Sequence, residues 1–152
     1  MRRAAFLLVL PLAPMVALAA DVMHDPPPLT SKDQWVFDLR WDSGDVYLVE
    51  VHKVEMPAPM TTPRAMGRFA IELTEHGNLD ERTRFDFPGL AVPDVEGGIR
   101  MNAKLKTRIG VFFPVTSRGD KLELVDRSNG QHWALPWPPP QTPRPTDGGT
   151  DQ

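Results

Sequence analysis

The strict alternation of residues 99–109 constrains the fold more than any other stretch of the chain. Apolar or small side chains occupy every second position: Ile99, Met101, Ala103, Leu105, Thr107 and Ile109. Polar and basic side chains occupy the positions between them: Arg100, Asn102, Lys104, Lys106 and Arg108. A helix would scatter both sets around its circumference, whereas a strand places each set on one face. The pattern therefore predicts a single strand with one buried face, continued by residues 111–113 and ended by Pro114.

Similar patterns recur through residues 33–137. Four apolar side chains share one face of a first strand: Trp35, Phe37, Leu39 and Trp41. Asp42-Ser43-Gly44-Asp45 is a typical turn sequence. Residues 46–54 are apolar on both faces, which predicts a strand placed centrally in its sheet. Residues 56–63 carry three prolines, which predicts a loop or a broken edge strand.

The register of a hairpin over residues 69–87 follows from its side chains. A three-residue loop at 76–78 places Phe69 opposite Phe85 and Glu72 opposite Arg82. The same register places Arg68 opposite Asp86. Sliding one strand by two residues would oppose like charges, which favours the first register.

A second hairpin is predicted around Asn129-Gly130, a dipeptide suited to a type I′ turn. Its strands are residues 122–127 and 132–137. A two-residue turn at 129–130 places Leu124 opposite Leu135 and Leu122 opposite Trp137. Pro136 indicates that the last strand lies at a sheet edge.

These segments amount to about seven strands in residues 33–137, with turn signals at short intervals and no convincing helix. Such a pattern is typical of an antiparallel β-sandwich, here of immunoglobulin-like size, and a small β-barrel is the alternative. The chain contains no cysteine, so its stability must come from the apolar core rather than from disulfides.

The two ends of the chain differ from this domain in composition. Arg2 and Arg3 precede an apolar run over 4–18, and Ala17-Leu18-Ala19 is a cleavage sequence, so residues 1–19 are predicted to be a signal peptide. We therefore expect an exported protein, periplasmic or extracellular. Residues 20–32, which contain Pro26-Pro27-Pro28, are predicted to form an extended arm. Residues 138–152 are predicted to form a disordered, Pro-rich tail.

The charge balance limits the class of partner. The chain holds 17 Lys and Arg against 20 Asp and Glu, and removal of Arg2 and Arg3 leaves 15 against 20, or −5. That balance argues against a general nucleic-acid binder. Outside the predicted signal peptide no segment is apolar enough for a membrane span, and the sequence does not indicate an oligomeric state.

The basic residues of the alternating segment are the leading candidates for a binding surface. On one strand face, alternate side chains repeat about every 6.6 Å. The candidate binding residues, expected on one sheet face, are Arg100, Lys104, Lys106, Arg108, Arg82 and Arg84. This basic face on an acidic chain predicts a non-enzymatic binding or accessory module that docks a protein or an anionic surface polymer. A solvated face paired with Glu72, Asp86 or Glu123 is the competing interpretation.

Two other function classes stay open. Thioether and imidazole groups suit copper, particularly Cu(I), and they cluster in or near the Pro-rich segment and the mature N-terminus: His52, Met56, Met60, Met66, Met23 and His24. A small hydrolase is the other class, since four histidines and many carboxylates are present. The chain has no G-x-S-x-G, H-E-x-x-H or phosphate-binding glycine loop, and no cofactor is predicted.

The tryptophans are predicted to face inward and pack in the core. Trp41 and Trp137, each at a strand end, are expected to be the most exposed of the four. An exposed tryptophan pair would instead suit stacking on a sugar ring.

Overall fold

The structure is a computed structural model that describes residues 24–93, 97–102 and 104–140. Within these residues the chain forms nine β-strands: β1 (Thr30–Asp42), β2 (Asp45–Thr61), β3 (Phe69–Glu75), β4 (Asn78–Phe85), β5 (Ala91–Pro93), β6 (Ile99–Met101), β7 (Lys106–Pro114), β8 (Lys121–Asp126) and β9 (Gln131–Leu135). The predicted signal peptide, residues 20–23 of the predicted arm and residues 141–152 of the predicted tail lie outside the described residues. No helix in the described ranges is long and apolar enough to cross a membrane.

Two antiparallel sheets pack face to face. Sheet A has three strands in the order β2-β1-β7, and sheet B has four in the order β4-β3-β8-β9. Strands β5 and β6 form a separate two-stranded ribbon. Each main sheet has an apolar face directed at the other sheet, and packing these two faces together removes both from water, as in a β-sandwich. The prediction of an antiparallel β-sandwich is confirmed.

The core between the sheets is rich in aromatic rings. The Phe69 ring lies 5.0 Å from that of Phe87 and 5.6 Å from that of Trp41, measured between centroids. Trp41 is only 5% exposed, so the expectation that it would be among the more exposed tryptophans is wrong. At the other end of the sandwich the half-buried Trp137 packs edge-on against Phe113, with centroids 6.1 Å apart.

The predicted register of the β3–β4 hairpin is confirmed. Phe69 lies opposite Phe85 and Glu72 opposite Arg82. The turn itself differs, because strand β4 begins at Asn78 and a β-bulge follows between Leu73 and Thr74. A two-residue turn plus one bulged residue gives the same pairing as a three-residue loop, since both add one residue between the strands.

The prediction of one continuous strand over residues 99–109 is wrong. Strand β6 pairs with β5 in the ribbon, whereas β7 begins at Lys106 and pairs with β1 in sheet A. The reason is the length of β1, which ends at Asp42 opposite Lys106, so residues before Lys106 have no partner strand in sheet A. Asn102 instead donates its backbone N–H to Leu90 at 2.8 Å, and the chain turns there.

Strand β2 lies at an edge of sheet A, so its predicted central position is wrong. The strand also runs through the proline-containing segment to Thr61, which confirms the edge-strand alternative for those residues. Residues 56–59 form a bulge without partners on β1, because Glu55 pairs with Asp33 while Met60 already pairs with Ser31. An edge strand tolerates the prolines, since no neighbouring strand needs their missing N–H groups.

The predicted register of the β8–β9 hairpin is wrong by two residues. Leu122 lies opposite Leu135 and Leu124 opposite Trp133. The connection is a four-residue turn, closed by the backbone N–H of Gly130 donating to the carbonyl of Asp126 at 2.8 Å. The pairing therefore stops at Asp126 and does not reach the Asn-Gly dipeptide.

Candidate functional site

The predicted basic residues fall on three different parts of the fold. Lys106 and Arg108 lie on β7, and Lys104 lies in the turn before it. Arg100 lies on β6 of the ribbon. Because the alternating segment is split, these residues do not share one face of one strand.

Arg82 and Arg84 belong to the other sheet. They lie on β4, with side chains only 9% and 14% exposed. Arg82 donates to Glu72 at 2.7 Å, and both arginines donate to Asp25. Their charges are thus compensated within the chain, and the arm covers them.

The outward-facing side of sheet A carries the basic residues that remain together. We call this surface the sheet-A face and define it by the outward side chains of β1, β2 and β7: Val36, Asp38, Arg40, Tyr47, Glu50, His52, Lys106, Arg108 and Phe112. Arg108 lies directly opposite Arg40, and Arg40 in turn lies opposite Tyr47. The Arg40 guanidinium stacks over the Tyr47 ring, 5.0 Å from its centroid.

The cations of the sheet-A face are paired with carboxylates. Arg108 donates to Asp38 through both Nε and Nη2, and the Lys106 ammonium lies 3.1 Å from Asp42. The hydrogen bond to Asp38, and then its charge, raise the pKa of Arg108. The hydrogen bond from Lys106 lowers the pKa of Asp42. Lys106 and Arg108 nevertheless remain 70% and 56% exposed.

The other half of the sheet-A face is apolar. Phe112 is 42% exposed and lies opposite Val36, which lies opposite His52 on the other side. Position 110 carries no side chain, and a Cβ there would lie 3.4 Å from Val36 Cγ1, so Val36 closes over Gly110. Tyr47, 44% exposed, adds a second aromatic side chain on the same face. The sheet-A face thus exposes two separate aromatic positions, Phe112 beside Val36 and Tyr47 beneath Arg40. Aromatic and arginine side chains are enriched at protein interfaces.

The sequence pattern did not single out Phe112, Tyr47 or Arg40 as candidate binding residues. The signal for Phe112 was present, because it continues the same alternation as Lys106 and Arg108 and so faces outward with them. Tyr47 and Arg40 come together only through the β1–β2 pairing. The sheet-A face is assembled by the pairing of β1 with β2 and β7, which the alternation within one strand does not reveal.

The copper candidates are spread along the chain. His52, Met56 and Met60 lie within β2, and Met66 lies beyond it, 84% exposed. Met23 lies outside the described residues. Among the described residues there is no cluster of three or more His, Asp or Glu that could hold a metal ion.

A cleft of about 350 Å³ lies where the β5–β6 ribbon meets the sandwich. Its lining includes Arg68, Asp86, Phe87 and Met101, and none of the described residues that line it is a histidine, serine or threonine. The His132 imidazole lies 3.6 Å from Glu123 elsewhere, on strands β9 and β8, and is half exposed.

Comparison with known proteins adds no assignment: no protein-family model, no curated protein and no solved structure matches this chain.

Proposed function

We propose that this chain is an exported, non-enzymatic binding module that docks a protein partner through the sheet-A face. The observation that carries the proposal is Phe112, a large aromatic side chain that is 42% exposed and lies opposite Val36 on the outward side of sheet A. Tyr47 beneath Arg40 on the same face adds two residue types that are enriched among interface residues with large binding contributions.

The charge pattern favours a protein over an anionic polymer. Positive charge is not in excess on the outward side of sheet A. Arg40, Lys106 and Arg108 accompany Asp38, Asp42 and Glu50, and Asp45 lies opposite Asp42. A polyanion binds through uncompensated positive charge, whereas a protein partner matches a surface of mixed sign. The docking residues are then Phe112, Tyr47, Arg40 and Arg108, with Lys106 at the rim.

Site-specific cross-linking in the organism's own envelope fraction tests the docking surface. A photo-cross-linking phenylalanine analogue at position 112 should yield a discrete cross-linked protein, because the side chain points away from the core. The same analogue at the half-exposed position 132, on β9 of sheet B, is the matched control. Identical products from both positions, or none from 112, would overturn the proposal.

Charge reversal distinguishes specific docking at the sheet-A face from non-specific electrostatic attraction. Lys106→Glu with Arg108→Glu should abolish the cross-link from position 112 and leave the fold intact, since both side chains are more than half exposed. Arg118→Glu with Lys121→Glu changes the net charge equally at exposed positions off this face. Equal loss from both double variants would indicate non-specific charge attraction.

The export part of the proposal rests on residues 1–19. N-terminal sequencing of the protein recovered from the envelope or the medium should begin near Ala20. Recovery of the uncut chain from the cytoplasm alone would contradict export without touching the docking surface.

A further inference from the structure

Residues 25–29 of the N-terminal arm lie against strand β4 and are held there by side chains of the domain. Asp25 accepts hydrogen bonds from Arg82 at 2.8 Å and from Arg84 at 2.5 Å. Pro26 accepts one from Arg64 Nη2 at 2.7 Å through its carbonyl. The arm is therefore bound as a peptide would be, through a side-chain carboxylate and the following backbone carbonyl.

The arm is anchored separately at its far end. Leu29 donates its backbone N–H to Glu81 at 2.6 Å and accepts a hydrogen bond from the backbone of Thr62 at 2.9 Å. Glu81 is fully buried and also accepts from Arg64 and from the backbone of Arg82. Leu29 thus stays fixed to the domain whether or not Asp25 is in place.

Asp25 and Leu29 are joined by three consecutive prolines, Pro26-Pro27-Pro28. A polyproline segment is stiff and carries no backbone N–H to bond to the domain. Lifting residues 25–28 breaks the contacts of Asp25 and Pro26 and leaves the Leu29 anchor intact. The arm therefore has a small, well-defined set of contacts that another chain can replace.

Two of the arginines that contact the arm have buried N–H groups without hydrogen-bond acceptors among the described residues. The Nε atoms of Arg64 and Arg84 are buried, and neither has a hydrogen-bond partner among the described residues. The only salt bridge of Arg84 with a described residue is to Asp25. Vacating the Asp25 position would leave this guanidinium, 14% exposed, without a counter-charge, which is costly unless another anion enters.

We propose that Arg64, Arg82 and Arg84 form a binding site for an acidic extended peptide segment, which the chain's own Asp25 and Pro26 occupy in this structure. A partner segment would place an Asp carboxylate between Arg82 and Arg84 and its next carbonyl on Arg64. This site lies on β4 of sheet B and is independent of the sheet-A face. It also gives a role to Arg82 and Arg84, which the sheet-A face does not include.

The test displaces the arm by charge repulsion. In the protein lacking residues 1–19, Asp25→Lys places an ammonium against two arginines and should expel residues 25–28. A labelled peptide of residues 21–28 (Asp-Val-Met-His-Asp-Pro-Pro-Pro), which leaves out the still-occupied Leu29 position, should then bind, measured by fluorescence anisotropy. The same peptide with Asn at the position of Asp25 should bind at least tenfold more weakly, and the unaltered protein should bind neither.

A second variant keeps the proposal testable if Asp25→Lys fails to fold. Asp25→Asn retains the shape of the side chain and should melt at a lower temperature than the unaltered protein. Sodium formate should restore that melting temperature more than sodium chloride at equal ionic strength, because formate supplies the missing carboxylate.

Equal effects of formate and chloride, together with equal binding of the Asp and Asn peptides, would overturn the proposal. Stabilisation of Asp25→Asn by formate or inorganic phosphate without any peptide binding to a folded Asp25→Lys variant would reduce the site to a small oxyanion site. That outcome would also overturn the assignment of a peptide ligand.

Discussion

The Arg68 guanidinium donates two parallel hydrogen bonds to the Asp126 carboxylate, from Nε at 2.8 Å and from Nη2 at 2.5 Å. Arg68 directly precedes β3 and Asp126 ends β8, so the pair joins neighbouring strands at one end of sheet B. Asp126 Oδ1 also accepts from the backbone N–H of Ser128 at 2.9 Å. The same carboxylate thus fixes the turn into β9, which sets the register of that hairpin.

Arg68→Met should destabilise the protein by about 2–3 kcal/mol. The substitution leaves a fully buried Asp126 carboxylate without its cation, and the expected loss is below that of a completely buried pair because Arg68 is 24% exposed. Urea denaturation measures the change. Lys32→Met removes an exposed pair with Glu55 and should cost less than about 1 kcal/mol. Similar losses for the two variants would contradict this account.

Acidification should destabilise the protein through Asp126. Burial on its own would raise the pKa of Asp126, but hydrogen bonds from Arg68 and Ser128 and the Arg68 charge outweigh it and hold the pKa below its ordinary 3.8. A carboxylate with a lowered pKa stabilises the fold above the unfolded-state pKa and stops doing so as pH falls through the folded-state value.

The melting temperature should therefore change little from pH 7 to about pH 5 and fall steadily below about pH 4. Asp126→Asn should start lower and fall less steeply, because the titrating group is gone. The pKa of Asp25 is also lowered: burial opposes this, and the hydrogen bonds and charges of Arg82 and Arg84 outweigh it. Asp25 thus adds a second contribution of the same sign. Parallel curves for Asp126→Asn and the unaltered protein would exclude Asp126 as a source of the acid sensitivity.

Gly67→Ala should be strongly destabilising, by about 2 kcal/mol or more. A Cβ at this position would lie 2.6 Å from the backbone nitrogen and oxygen of Phe85, and strand β4 cannot move away without losing its pairing. Gly98→Ala is the control, because a Cβ there meets nothing within 4 Å. Equal unfolding free energies for the two variants would contradict this prediction and would mean that β4 can shift at Phe85 to accommodate the Cβ.

Phe112→Ala and Phe113→Ala should separate binding from stability. Phe113 is fully buried, and its truncation should cost about 3–5 kcal/mol. Phe112 is 42% exposed, and its truncation should cost about 1 kcal/mol or less while weakening partner docking. Thermal denaturation measures the loss of stability, and the cross-linking assay measures the loss of docking. A large stability loss from Phe112→Ala would mean that its ring supports the fold instead of the interface.

Local pattern predicted the features that depend on neighbouring residues. Alternation with a period of two assigned the inward faces of β1, β3 and β7 correctly. The β3–β4 register was predictable because two strands joined by a short turn have few alternatives, and opposing like charges exclude the nearest one. The β8–β9 register was not predictable from local pattern, because the turn depends on Asp126 and its partner Arg68, which are 58 residues apart in sequence.

The candidate binding surfaces show the same division. The outward direction of Lys106, Arg108 and Phe112 was present in the sequence, since it follows from alternation alone. The carboxylates that pair with these cations could not be identified from the sequence, because Asp38 is 70 residues from Arg108 and no periodicity relates them. Likewise nothing near Arg84 in sequence indicates that Asp25, 59 residues earlier, covers it.

The sequence by itself determined a cysteine-free, all-β antiparallel fold, for which a sandwich was favoured over a small barrel, and it determined which side chains of β1, β3 and β7 face the core. Side-chain alternation is a property of the extended backbone and needs no tertiary information. Only the tertiary structure decided that β2 lies at an edge, that residues 99–109 divide between a ribbon and sheet A, and which basic residues remain exposed. Those outcomes depend on where a partner strand ends and which carboxylate reaches which cation, and both are set by long-range packing.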